Sequence, residues 1–191
     1  MRNTVSIIAI SAALALGACG PKAEQRADKT GDLLSNAADD VKVAVLPTPT
    51  AQEFVDKAAR SDAFEIASAR LAKEKAGSAD LKSFAAMMIA DHNGSTAKIK
   101  AAAAAARPAL KPDPMLTDDQ KGKLDDLGTL TGRDFDKAYA DQQIAAHHAT
   151  LSLMRVYADK GETPSLKKAA GDIVPRVQAH LDKIKAIKAA M

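Results

Sequence analysis

The sequence predicts an all-α protein built on a four-helix bundle, and two observations carry that prediction. Alanine, the strongest helix former, supplies 42 of the 191 residues. Aromatic residues make up only 3% of the chain, whereas β-sandwiches and barrels need many aromatic and β-branched side chains. The net charge of +3 is small and evenly spread, so we expect no nucleic-acid partner.

Residues 1–18 are predicted to be a lipoprotein signal peptide. Arg2 precedes an apolar run from Val5 to Leu16, which at about a dozen residues is too short to span a membrane. The run leads into Leu16-Gly17-Ala18-Cys19, which resembles the lipobox of bacterial lipoproteins. An ordinary signal peptide followed by an unrelated cysteine is the alternative.

Cys19 is the only cysteine in the sequence, so the chain can form neither an internal disulfide nor a cysteine-based zinc or iron–sulfur site. We expect cleavage before Cys19 and lipidation of its thiol, which would anchor the protein to a membrane without spanning it. By analogy with lipoprotein sorting, Gly20 favours the periplasmic face of the outer membrane. Residues 19–49 are polar, end in a proline pair, and are predicted to form a flexible tether.

The folded domain is predicted to span residues 50–191, and its first two long helices form a hairpin. The first helix runs over about 51–76 and stops at Gly77. The second begins after Ser78, a favourable N-cap, and runs to about residue 106, before Pro108.

The last two long helices, over about 133–160 and 165–190, form a second predicted hairpin around a tight turn at 161–164. The connector over 107–131 contains a short helix, which Thr117 and Gln120 open as a capping box. About 25 residues can span roughly 40 Å, which permits the long crossover of a ferritin-like bundle. A simple up-down-up-down bundle is the alternative.

Each long helix carries one apolar face with a single ionisable residue near its middle. These four residues are Glu65, His92, His147 and His180. They lie at similar distances from the starts of their helices, so a bundle of equal-length helices would place them at one height. The fourth histidine of the chain, His148, lies off this face and is predicted to be at the surface or at the rim of the bundle.

Three neutral imidazoles and one carboxylate would suit a single transition metal such as Zn, Fe, Mn, Cu or Ni. The di-iron centre of ferritin-like proteins needs Glu-x-x-His pairs, and none of these histidines has an acidic residue three positions before it. Non-covalent haem, with Met88 or Met154 as an axial ligand, is a weaker option. The alternative to any metal is a polar core in which Glu65 pairs with a protonated histidine or with Arg176.

Three further residues are predicted to support the central histidines. Gln143 lies one turn before His147, and Arg176 lies close to the face of His180. Asp91 precedes His92 and turns about 100° away from it, so we expect it to face solvent or a neighbouring helix.

The motifs around these positions resemble the domain of unknown function 4142 family. The motifs are Phe64-Glu65-Ile66, Ala85-x-x-Met88-Ile89-x-Asp91-His92, Phe135-Asp136-x-Ala138-Tyr139-x-x-x-Gln143-x-x-x-His147 and Pro175-x-x-x-x-His180-Leu181. The resemblance implies a ferritin-like helical bundle in a bacterial envelope protein. It also maps the acidic and histidine positions of the family onto Glu65, His92, His147 and His180, but it implies no settled activity.

The sequence therefore predicts an envelope lipoprotein that binds one metal and serves metal handling or defence against oxidative or envelope stress. A non-enzymatic stress or interaction module with a metal-free core is the second hypothesis. An oxidase or catalase-like enzyme is the third, and it would need a redox metal with an open coordination position. No residue is predicted to be catalytic.

Overall fold

The computed structural model describes residues 47–191, which form five helices. The four long ones are α1 (Ala51–Lys75), α2 (Ala79–Ala105), α4 (Gly132–Lys160) and α5 (Pro164–Ala189), and the short α3 (Asp118–Thr129) lies in the connector. The predicted all-α fold is confirmed. The predicted signal peptide, the lipidation site and nearly all of the predicted tether lie outside the described residues. None of the helices in 47–191 is both long and apolar enough to cross a membrane.

Local capping explains where the helices begin. The Thr50 hydroxyl accepts a hydrogen bond from the Glu53 backbone N–H, and the Glu53 carboxylate accepts one from the Thr50 N–H at 2.8 Å. Thr117 and Gln120 form the same reciprocal box at the start of α3, as the sequence predicted. Such boxes satisfy backbone donors that the first helical turn leaves without partners.

The long connector crosses the length of the bundle. Asp136, near the start of α4, accepts hydrogen bonds from the backbone N–H groups of Gly77 and Ser78 in the α1–α2 turn. At the opposite end, the Ser165 hydroxyl at the start of α5 donates to the Ala102 carbonyl near the end of α2. Helices α2 and α4 therefore run in the same direction, which is the ferritin-like crossover and excludes the up-down-up-down alternative.

The core consists of two apolar clusters, one towards each end of the bundle. The cluster near the start of α1 includes Phe54, Tyr157 and Leu166, and the other includes Phe84 and Phe135. Between them lies a layer of buried polar side chains, here called the polar layer: Asp62, Glu65, His92, Gln143, His147 and His180.

Candidate metal centre

Three histidines from three helices meet in the polar layer. His92 of α2, His147 of α4 and His180 of α5 each place one potential ligand nitrogen within 4.8 Å of the other two. Their ring centroids are 5.5–6.0 Å apart, and no residue of the three is more than 4% exposed. The structure thus brings together three of the four predicted ligands, and their binding of a metal stays a prediction.

In residues 47–191, each of these rings has one nitrogen hydrogen-bonded to the protein and one without a partner. The bonded pairs are His92 Nδ1 with Asp62 Oδ1 at 2.8 Å, His147 Nδ1 with the Gln143 carbonyl at 2.7 Å, and His180 Nε2 with Asp91 Oδ2 at 2.8 Å. Among the described residues, nothing hydrogen-bonds the buried Nε2 of His92, Nε2 of His147 or Nδ1 of His180. Metal-binding histidines are held in this way, since an outer acceptor fixes the ring and its tautomer.

Burial keeps two of the rings neutral near pH 7, which is the form that binds metals. It lowers the pKa of His147 to about 3. Burial also lowers the pKa of His180, although the hydrogen bond to Asp91 opposes it. Burial acts in the same direction on His92, but the Asp62 hydrogen bond and the nearby acidic charges outweigh it, so the pKa of His92 is raised.

Glu65 of α1 lies beside the three histidines. Its residue is 1% exposed, its Oε1 is 3.9 Å from His147 Nδ1, and neither carboxylate oxygen has a hydrogen-bond partner in residues 47–191. Burial raises its pKa to about 7, against the opposing effects of the His92 charge and of the nearby Gln143 side chain. A buried carboxylate without a partner is costly, so this position favours either a proton or a nearby cation.

The three predicted supporting residues all lie around the histidines. The backbone carbonyl of Gln143 accepts the hydrogen bond from His147, while the Gln143 side-chain amide donates to Ser68 Oγ at 3.1 Å. Asp91 is only 23% exposed, because its carboxylate reaches across to α5 and His180.

Arg176 contacts Asp91 and not Glu65. Its Nη1 is 3.7 Å from Asp91 Oδ2, and its side chain is 65% exposed. The proposed metal-free pairing of Arg176 with Glu65 therefore does not occur in the structure. An exposed arginine gains more by staying hydrated beside a half-buried carboxylate than by entering the core.

Asp62, the acceptor that holds His92, was not predicted from the sequence. Its residue is 3% exposed, and its second oxygen, Oδ2, accepts a hydrogen bond from the Thr96 hydroxyl at 2.9 Å. A signal was available, because Asp62 lies three positions before Glu65 and so shares its face of α1.

The chain belongs to a family with no assigned activity. The profile of the family described as "Domain of unknown function (DUF4142)" matches residues 36–187. The chain is a DUF4142 protein. This match confirms the resemblance of the sequence motifs, and the search of curated proteins found no match.

Solved structures share the bundle fold at low sequence identity. CopM in its Cu(I)-bound form is 22% identical, with a TM-score of 0.62 over 74% of this chain and 97% of CopM. The Cu(II)-bound form of CopM is also 22% identical, with a TM-score of 0.64 over 75% and 99%. A DUF305 fragment from Deinococcus radiodurans is 14% identical, with a TM-score of 0.65 over 75% and 98%. These similarities establish the fold of the DUF4142 chain and not its ligand.

Proposed function

We propose that this DUF4142 protein binds one transition-metal ion, copper foremost, at His92, His147 and His180. Two observations on the three buried histidines carry the proposal. Each places one potential ligand nitrogen within 4.8 Å of the other two, and each has one buried ring nitrogen without a hydrogen-bond partner in residues 47–191. An unsatisfied buried polar group costs about 1–3 kcal/mol. A metal-free polar core would leave this cost in place, whereas one metal ion would use all three nitrogens.

Copper is favoured over the other metals for two reasons. Imidazole is a good ligand for copper, and Cu(II) binds a given nitrogen site more tightly than other divalent first-row metals. CopM, which shares the fold, has been solved in both Cu(I)-bound and Cu(II)-bound forms. In this proposal Glu65 supplies a fourth ligand or a compensating negative charge beside the histidines.

Metal content and affinity test the proposal directly. Protein purified without an affinity tag is expected to bind about one copper ion per chain, and His147→Ala is expected to lose it. His148→Ala is the matched control, because it removes the neighbouring imidazole outside the polar layer. A visible absorption spectrum of untreated protein separates haem or iron from the other metals. Absence of bound metal, together with no binding of added Cu, Zn, Fe, Mn or Ni, would refute the proposal.

The proposed setting is the bacterial envelope, with a lipid anchor at Cys19 on the periplasmic face of the outer membrane. The lipobox-like sequence supports this setting. The proposed role is metal handling or defence against oxidative or envelope stress. Incorporation of a labelled fatty acid is expected in the full chain and not in Cys19→Ser, and fractionation should move that variant from the membrane to the soluble fraction. A labelled Cys19→Ser variant would contradict the anchor.

A further inference from the structure

The polar layer reaches solvent at the face shared by α2 and α5. His180 is hydrogen-bonded to Asp91 at 2.8 Å, and Arg176 lies 3.7 Å from the same Asp91 oxygen. Side-chain exposure rises outwards along this series, from 3% for His180 to 23% for Asp91 and 65% for Arg176. The series is a continuous line of polar groups from solvent to a buried histidine.

Asp62 and Gln143, which are hydrogen-bonded to His92 and His147, are shielded from solvent. The side chain of Asp62 is only 5% exposed, and Gln143 is completely buried. A small cavity lies beside Thr96, which binds Asp62, but Ala59, Ala63, Ile66, Ile99, Pro112 and Pro114 form most of its lining. A hydrated cation gains little from such an apolar wall.

We propose that a metal cation reaches the three histidines along the α2–α5 face, through Asp91, and that Arg176 controls this access. The inference rests on the proposed metal binding. The Asp91 carboxylate attracts the cation and replaces part of its water shell, whereas the Arg176 guanidinium repels it and competes for the same oxygen. Charges at the mouth of a buried site act mainly on association rates.

Stopped-flow mixing of metal-free full-length protein with Cu²⁺, followed through a chromophoric chelator that competes for the metal, tests this route at about 0.15 M ionic strength, where the Debye length is about 8 Å. Arg176→Glu is expected to raise the association rate constant about three- to tenfold. Lys183→Glu is the matched control, since it makes the same charge change about 10 Å further along α5. The control is expected to change the rate by less than about twofold.

Two further variants compare the possible routes. Asp91→Asn is expected to slow association about three- to tenfold, because it removes the charge while its amide oxygen can still accept from His180. Lys100→Glu reverses an exposed charge in the lining of the apolar cavity and should change the rate by less than about twofold.

Equal rates for Arg176→Glu and Lys183→Glu would overturn the access route, and so would a rise in rate for Lys100→Glu as large as that for Arg176→Glu. Failure of the wild-type protein to bind Cu²⁺ at equilibrium would refute the proposed function instead. The exposed position of Arg176 means that its variants should fold, which far-ultraviolet circular dichroism can verify.

Discussion

The ends of this bundle differ from its middle in how their buried side chains are packed and hydrogen-bonded. At one end the rings of Phe54 and Tyr157 stack with centroids 3.9 Å apart, and at the other Asp136 satisfies two backbone donors of the α1–α2 turn. In the middle, Glu65 and the three histidines leave buried polar atoms without partners in the described part of the chain. A fold that concentrates its unsatisfied buried polar atoms in the middle has given up stability there, and such local conflicts are typical of functional sites.

Truncating an aromatic ring at the apolar end should give the largest effect on stability. Phe54 is completely buried and stacks on Tyr157. Phe54→Ala should lower the free energy of unfolding by about 3–5 kcal/mol in urea titrations, while the folded fraction still binds copper normally. Phe54→Leu, the control, should lose much less. Loss of copper from folded Phe54→Ala protein would show that the two regions are not independent.

Copper that binds at the polar layer should raise the free energy of unfolding of the protein, by an amount that depends on the free copper concentration. At a free copper concentration of 100 times Kd, binding adds about 2.7 kcal/mol to the free energy of unfolding. Thermal melts should show this gain in the wild-type protein and in His148→Ala, but not in His92→Ala. An equal gain in His92→Ala would place the bound copper elsewhere.

The sequence predicted the fold better than the connections within the site, and the reason is physical. Helix faces follow from a fixed rotation of 100° per residue, so residue spacing was enough to place Glu65, His92, His147 and His180 in one layer. Which oxygen holds which ring depends on side-chain rotamers and on the neighbours of each helix. The particular hydrogen bonds of His92 with Asp62 and of His180 with Asp91 therefore could not be predicted in the same way.

Removing the carboxylate that binds the α1–α2 turn should have an intermediate effect. Asp136 is buried and accepts from the N–H groups of Gly77 and Ser78 at 2.9 and 3.0 Å. Asp136→Ala leaves both donors without this acceptor and should cost about 2 kcal/mol of stability, with copper affinity unchanged. Asp134→Ala removes an exposed acid in the same helical turn and should cost less than about 0.5 kcal/mol. Equal losses in the two variants would argue against this role of Asp136.

The smallest expected effect is that of Glu65→Gln, which should stabilise the metal-free protein but weaken its binding of copper. A carboxyl group whose pKa is raised by folding costs stability that appears above its unfolded value of 4.5 and is complete above about 7. Glu65→Gln should therefore stabilise the metal-free protein by about 1 kcal/mol at pH 8, and by less at pH 5.

With copper present, Glu65→Gln should weaken binding, because the neutral amide is a poorer ligand and supplies no balancing charge. Glu74→Gln, an exposed change on the same helix, should alter neither quantity. Urea titrations at the two pH values, each with and without Cu²⁺, measure both effects. Stabilisation without loss of copper affinity would remove Glu65 from the proposed ligands, and the histidines would then hold the metal alone. If Glu65→Gln instead destabilises the metal-free protein at pH 8, the Glu65 carboxylate is not an unsatisfied buried charge. The contrast between the middle of the bundle and its ends would then not include Glu65.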